Sequence, residues 1–176
     1  MRKLKVTEMG RMNIEEFKAS EKIPLIVVLD DVRSMYNVGS IFRSSDAFRV
    51  EGVWLCGITA QPPHPEIHKT ALGAEESVEW RYFESTQAAL IALKKDDFIV
   101  YSIEQCEGSK LLQDVTIEKG QKYAIILGNE VKGVKQEIVD QCDGCIEIPQ
   151  FGTKHSLNVA STAGIVIWEF AKQMIV

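Results

Sequence analysis

Tyr123-Ala124-Ile125-Ile126-Leu127-Gly128-Asn129-Glu130-Val131-Lys132-Gly133 passes abruptly from a continuous apolar run into a polar loop bounded by two glycines. Apolar residues without alternation suit a strand buried on both faces, as in parallel sheets. A second run, Cys145-Ile146-Glu147-Ile148, stops at Pro149. A polar loop, Gln150-Phe151-Gly152-Thr153-Lys154-His155, then leads through Ser156-Leu157-Asn158-Val159-Ala160 into a helical pattern expected over 156–174. In a parallel α/β sheet the loops that follow strands gather at the carboxyl edge, where ligands bind.

Upstream, Pro24 introduces the β-rich run 25–29. A polar loop over 30–37 and a helical pattern over 38–48 precede a second strand at 52–56. Strand, helix and strand within some thirty residues form a βαβ unit, whose strands are parallel. Further strands are expected at 78–83 and 98–102, and helices at 86–93 and 134–142. Gly108-Ser109-Lys110 reads as turn material. Pro62, Pro63 and Pro65 bar a regular helix before 66–72. His64 and His68 stand four apart, but no third ligand is evident nearby, so they read as surface residues. A short helix over 13–19, with Asn13 as its N-cap, forms an extension over 1–22 ahead of a domain over 23–176. The expected fold is therefore α/β, a mostly parallel sheet of five to six strands with helices on both faces.

The chain's 176 residues, 45% of them hydrophobic, can bury the core of one domain. No apolar run is long enough to span a bilayer. The charged start Met1-Arg2-Lys3 is unlike a signal peptide, and a cytoplasmic location with no membrane partner is expected. Cys142 and Cys145 form a lone C-x-x-C without a second pair, so they read as thiols rather than metal ligands, and no metal is expected. The net charge of −5 argues against non-specific nucleic-acid binding and requires any RNA contact to use a local basic patch.

Dinucleotide, P-loop, nucleophile-elbow and zincin motifs are all absent. What remains is a dispersed set: Asn37 with Arg43, Gly128 to Gly133, and Ser156 with Asn158. Each group follows an expected strand. Each member also has an ordinary structural reading: Asn37 as an N-cap, Arg43 as a solvated helix residue, Ser156 as the cap of the last helix, the glycines as turn formers.

Together these residues carry a resemblance. Asn37-Val38-Gly39-Ser40-Ile41-Phe42-Arg43-Ser44-Ser45-Asp46-Ala47-Phe48 resembles the first motif of the SpoU (TrmH-like) RNA methyltransferases. Ile126-Leu127-Gly128-Asn129-Glu130-Val131-Lys132-Gly133 resembles the second. Ile148-Pro149 with Ser156-Leu157-Asn158-Val159-Ala160 resembles the third, and Thr70-Ala71-Leu72-Gly73-Ala74 is also similar to the group. The likeness covers residues 25–172 with the motifs in family order.

The resemblance implies a SPOUT fold with a C-terminal deep trefoil knot, and a homodimer whose active sites draw on both subunits. It implies S-adenosylmethionine as cofactor, held at Leu127, Gly128, Ile148, Ser156 and Leu157, and methyl transfer to a ribose 2′-hydroxyl of RNA. The catalytic candidates are Arg43, Asn37, Glu130, Ser156 and Asn158. Arg43 belongs at the hydroxyl, as proton acceptor or as stabiliser of the alkoxide; Glu130 anchors its loop, contacts RNA or sets the local field. Arg33, Lys132, Lys135 and Lys154 are candidates for a phosphate-binding patch. Because little lies beyond the catalytic core, the acceptor is open: tRNA first, ribosomal RNA second. The rival readings are a methyltransferase with a non-RNA acceptor and a silent S-adenosylmethionine- or RNA-binding module.

Overall fold

A computed structural model describes residues 1–175. Its strands are β1 (Ile23–Asp30), β2 (Val50–Cys56), β3 (Trp80–Phe83), β4 (Ile99–Ile103), β5 (Lys110–Leu111), β6 (Tyr123–Leu127) and β7 (Gly144–Glu147). They form one seven-stranded sheet in the order β3-β2-β1-β6-β4-β7-β5. Every pairing is parallel. This exceeds the expected five to six strands. The addition includes β5, two residues laid against Ile146 and Glu147 within a stretch that reads as turn material. A ladder that short leaves no periodicity to find.

The helices are α1 (Ile14–Ala19), α2 (Met35–Ala47), α3 (Pro65–Ala71), α4 (Ala74–Ser77), α5 (Thr86–Lys95), α6 (Gln136–Val139) and α7 (Val159–Ile175). Strand side chains alternate between two cores because successive residues point to opposite faces. Leu25, Val27 and Leu29 pack with Val38, Ile41 and Phe42 of α2 and Val166, Ile167 and Phe170 of α7. Ile26 and Val28 pack on the other face with Leu90 and Leu93 of α5 and Ile138 of α6. Both faces are covered, which explains the unalternating apolar runs. Phe17 of α1 joins the first core, and Asn13 and Glu16 close a reciprocal capping box at the start of that helix.

Three helices depart from expectation by three residues at an end. Helix α2 begins at Met35 because the Ser34 hydroxyl accepts the Asn37 N–H at 3.3 Å. Asn37 is therefore inside the first turn and is not the cap. Helix α7 begins at Val159 because the Asn158 side-chain oxygen accepts the N–H groups of Ala160 and Ser161 at 2.9 and 3.2 Å. Asn158 holds the capping role suggested for Ser156. Helix α6 spans four residues rather than the expected 134–142, and has no side-chain cap at Lys135.

The strand order sets up the site. The chain builds β1, β2 and β3 outward, then places β6 between β1 and β4. The carboxyl ends of β1, β6, β4 and β7 thus lie side by side, and their following loops share one edge. Among the described residues, no helix is long and apolar enough to cross a membrane.

Candidate functional site

Gly128 ends β6 in close contact with backbone. A Cβ there would lie 2.1 Å from both the Gly133 carbonyl carbon and the Val134 nitrogen, so only glycine lets the loop fold back on itself. Asn129 then exchanges backbone hydrogen bonds with Gly133, at 3.1 and 2.8 Å. Its side-chain oxygen accepts the N–H groups of Val131 and Lys132, and its amide donates to the Asp31 carbonyl at 2.8 Å. Gly133 takes φ +67°, a region costly for other residues.

Glu130 ties this loop to α2. Its carboxylate accepts the Arg33 and Ser34 N–H groups, both at 2.9 Å, and the Asn37 amide at 3.0 Å. Partial burial alone would raise its pKa; the hydrogen bonds from Arg33, Ser34 and Asn37 outweigh that and hold it below the usual carboxylate range. Asn37 in turn accepts the Asn158 amide at 3.1 Å. Three distant segments are joined by one chain of side chains, Glu130–Asn37–Asn158. Of the roles open for Glu130, loop anchoring has direct geometric support.

Beside this chain lies a cleft of about 560 Å³. Leu127, Gly128, Ile148, Ser156 and Leu157, the five positions named for the cofactor, all line it, as do Glu130, Lys132 and Asn158. Glu104 and Gln105 line it too, and sequence reasoning passed them over. The Glu104 carboxylate accepts the Val134 N–H at 2.7 Å, and the Gln105 amide donates to the His155 carbonyl at 2.9 Å. They follow β4 directly, so the same edge rule that singled out Gly128 would have found them.

Arg43 is not brought to this cleft. It is exposed on α2 and lines a separate depression with Ser40, Ser44, Lys69 and Thr70. The four basic candidates also divide. Lys132 lines the cleft, and Arg33 and Lys154 are exposed. Lys135 instead bonds Asp31 at 2.6 Å and stands 3.8 Å from buried Asp30. The bond to Asp31 raises the Lys135 pKa against the smaller effect of burial. Its ammonium is engaged by these carboxylates, although the side chain is about half exposed.

Two cysteine and histidine expectations are also located. The Cys142 thiol contacts the Ile138 carbonyl, whereas Cys145 faces the Glu104 carbonyl and lies 2.9 Å from the Cys106 sulfur. The C-x-x-C is thus not a converging pair. His64 caps α3 by accepting the Glu66 N–H, and His68 bonds Glu75 at 2.6 Å. The turn between α3 and α4 does bring Glu75 and Glu76 within 4.8 Å of His68, a grouping the sequence did not reveal. Glu75 is already engaged by His68 and by the Gly73 N–H at 3.1 Å.

Comparison with known proteins agrees with this architecture. A tRNA (guanosine(18)-2′-O)-methyltransferase of Thermus thermophilus is 30% identical over 167 residues, which are 95% of this chain and 84% of that protein. The TrmH/SpoU tRNA modifying enzyme of A. aeolicus superposes with a TM-score of 0.80 at 25% identity, covering 91% of this chain and 80% of the other. An AdoMet-bound rRNA methyltransferase from Sinorhizobium meliloti gives a TM-score of 0.80 at 25% identity over 89% of this chain, which spans only 59% of that protein. The profile of the SpoU rRNA Methylase family matches residues 24–168, and the chain belongs to that family.

Proposed function

We propose that this chain transfers a methyl group from S-adenosylmethionine to a ribose 2′-hydroxyl of RNA, with tRNA the first acceptor and ribosomal RNA the second. The observation that carries this reading is the Glu130–Asn37–Asn158 chain, which joins all three motif segments at the rim of one cleft. Relatives named for tRNA and for rRNA methylation both support RNA as the acceptor class.

The cleft suits the cofactor. Leu127, Ile148 and Leu157 offer apolar walls for an adenine, and the glycine-bounded loop brings backbone close to a ligand. Glu104 and Gln105 add polar groups. S-adenosylmethionine supplies, when bound, an electrophilic methyl on a positively charged sulfur. The residues of the chain must align the hydroxyl and dispose of its proton. Glu130 fixes Asn37, and Asn37 and Asn158 orient one another at the cleft. Arg43, with its planar fork of N–H donors, stabilises the developing alkoxide and holds the adjacent phosphate, which takes the proton.

Because Arg43 lies away from the cleft of its own protomer, the reading includes a homodimer in which one copy's Arg43 serves the other's cleft. Exposed apolar side chains on α7, Ile165 at 42% and Trp168 at 52%, support such a contact. Trp168 packs at a tilt against Phe48 at the end of α2, with ring centroids 5.5 Å apart and planes at 49°. The knotted threading implied by the resemblance is part of the same proposal. Its support is the return of α7, which leaves β7 beyond β4 and packs across β6 onto α2 and β1. A cytoplasmic location without metal completes it.

The test is transfer of labelled methyl from S-adenosylmethionine to bulk tRNA and, separately, to ribosomal RNA from cells lacking the protein. Label on ribose 2′-oxygens, lost with Arg43→Ala, is expected. Cofactor binding without label in either pool would sink the RNA reading in favour of another acceptor or a silent module.

A further inference from the structure

Tyr36 occupies the first turn of α2, one residue before Asn37, and is 44% exposed. Its backbone carbonyl accepts the Ser40 hydroxyl at 2.8 Å and the Thr70 hydroxyl at 2.9 Å. The residue is thus fastened to α2 and α3 through its main chain, while its ring stays largely open. Lys69 of α3 holds its ammonium 6.0 Å from the centre of that ring. Arg43 follows Tyr36 by two helical turns, so both belong to one face of α2. Lys69 and Arg43 line one depression of about 490 Å³, whose other walls are Ser40, Ser44, Ala47, Phe48 and Thr70.

Every charged residue of that depression is cationic, on a chain of net charge −5. Neither cation has a carboxylate within ion-pair reach among the described residues. Two unspent cations around hydroxyl groups, with an exposed ring alongside, match the alternating phosphate and base of a single strand.

We propose that Tyr36 and Lys69 form, with Arg43, a subsite for the RNA strand: the Tyr36 ring stacks on a nucleobase neighbouring the methylated nucleotide, and Lys69 pairs a backbone phosphate. This rests on the RNA methyl transfer proposed above and adds two residues to it. Lys69 also faces the Tyr36 ring, so it favours one ring orientation as well as supplying charge. An unstacked base is the natural partner, because a duplex would keep its bases out of reach of the ring.

The test is steady-state methylation of bulk tRNA and ribosomal RNA from cells lacking the protein, using Tyr36→Leu, Tyr36→Phe, Lys69→Ala and wild type. Tyr36→Leu is expected to raise KM for RNA about tenfold, as loss of one stacked base does. Tyr36→Phe, which keeps the ring, is expected to match wild type. Lys69→Ala is expected to raise KM several-fold and to lower the slope of log affinity against log salt by about 0.7, one phosphate contact fewer. Turnover at saturating RNA and affinity for S-adenosylmethionine should hold. Unchanged KM in Tyr36→Leu and Lys69→Ala, with wild type active, overturns the subsite alone, as does damage from Tyr36→Phe equal to that from Tyr36→Leu. A wild type that methylates neither pool overturns the subsite together with the RNA reading.

Discussion

The Glu130 carboxylate and the Asn37 amide meet at 3.0 Å across a sequence separation of 93 residues. The contact fastens the loop after β6 to the first turn of α2, and Asn37 carries the connection on to Asn158. Removing the carboxylate charge should therefore loosen both sides of the cleft. Glu130→Gln is expected to cost about 1 kcal/mol of stability, the contribution of a hydrogen bond to a charged group reduced by the exposure of the carboxylate. Cofactor affinity should fall with it, read by calorimetry and urea unfolding.

The same group sets a pH dependence. The folded-state pKa of Glu130 lies below its unfolded value of about 4.3. Its stabilisation is thus present above that pH and is lost as pH falls through the folded pKa. The gap in urea midpoint between wild type and Glu130→Gln should be full at pH 7 and close progressively below about pH 4. A gap unchanged at low pH would mean the carboxylate is not the source.

Gly128→Ala places a methyl 2.1 Å from two backbone atoms that have no freedom to withdraw. We expect a loss of about 1–3 kcal/mol, as for an overpacked site, and cofactor binding weakened beyond detection. Thermal unfolding and calorimetry read the two effects separately.

Arg43 stands outside the cleft lined by Leu127 and Leu157, so its removal should spare cofactor affinity. Arg43→Ala is expected to lower turnover at least a hundredfold with an unchanged cofactor Kd. Mixing Arg43→Ala subunits with Leu157→Asp subunits, whose cleft is blocked, should restore activity through hybrid dimers carrying one intact site. Failure to restore it, with hybrids demonstrated, would place Arg43 in service of its own protomer.

Lys135 should behave as a structural cation. Its bond to Asp31 at 2.6 Å is about half exposed, and Lys135→Ala should cost about 0.5–1 kcal/mol. Burial would raise the Asp31 pKa, but the Lys135 bond and the Ile58 N–H lower it overall, so this stability also fades as pH falls below about 4. RNA affinity should drop with Lys132→Ala or Lys154→Ala and hold with Lys135→Ala, as read by filter binding at two salt concentrations.

The parallel sheet was legible because Leu25 to Leu29 and Tyr123 to Leu127 are buried on both faces and so carry no alternation. The cleft-lining loops were legible because Gly128 and Ser156 lie in polar stretches that come after such runs. Helix starts were not, since Ser34, Asn37 and Asn158 are all good caps and only tertiary contacts decide which of them caps. Asn37 is drawn away by Glu130, leaving Ser34 to cap α2. The fate of Lys135 was equally hidden: nothing in its neighbourhood along the chain announces Asp30 and Asp31, more than a hundred residues earlier. Glu104 and Gln105 were within reach of the edge rule, but no glycine or loop signal drew attention to them.

The position of β6 has a consequence for how the chain is made. It is the central strand, hydrogen-bonded to β1 on one side and β4 on the other, yet it begins only at Tyr123. A ribosome releasing this chain exposes β1, β2 and β3 well before the strand that covers the open edge of β1 exists. At about 5–20 residues per second, some 90 residues separate the end of β1 from β6, a gap of several seconds. During that interval an apolar, unpaired parallel edge faces solvent or a chaperone, and collapse of the two halves must wait for the insertion. Substitutions that weaken β6 should therefore reduce the yield of folded protein in growing cells more steeply than they reduce the equilibrium stability of the purified chain.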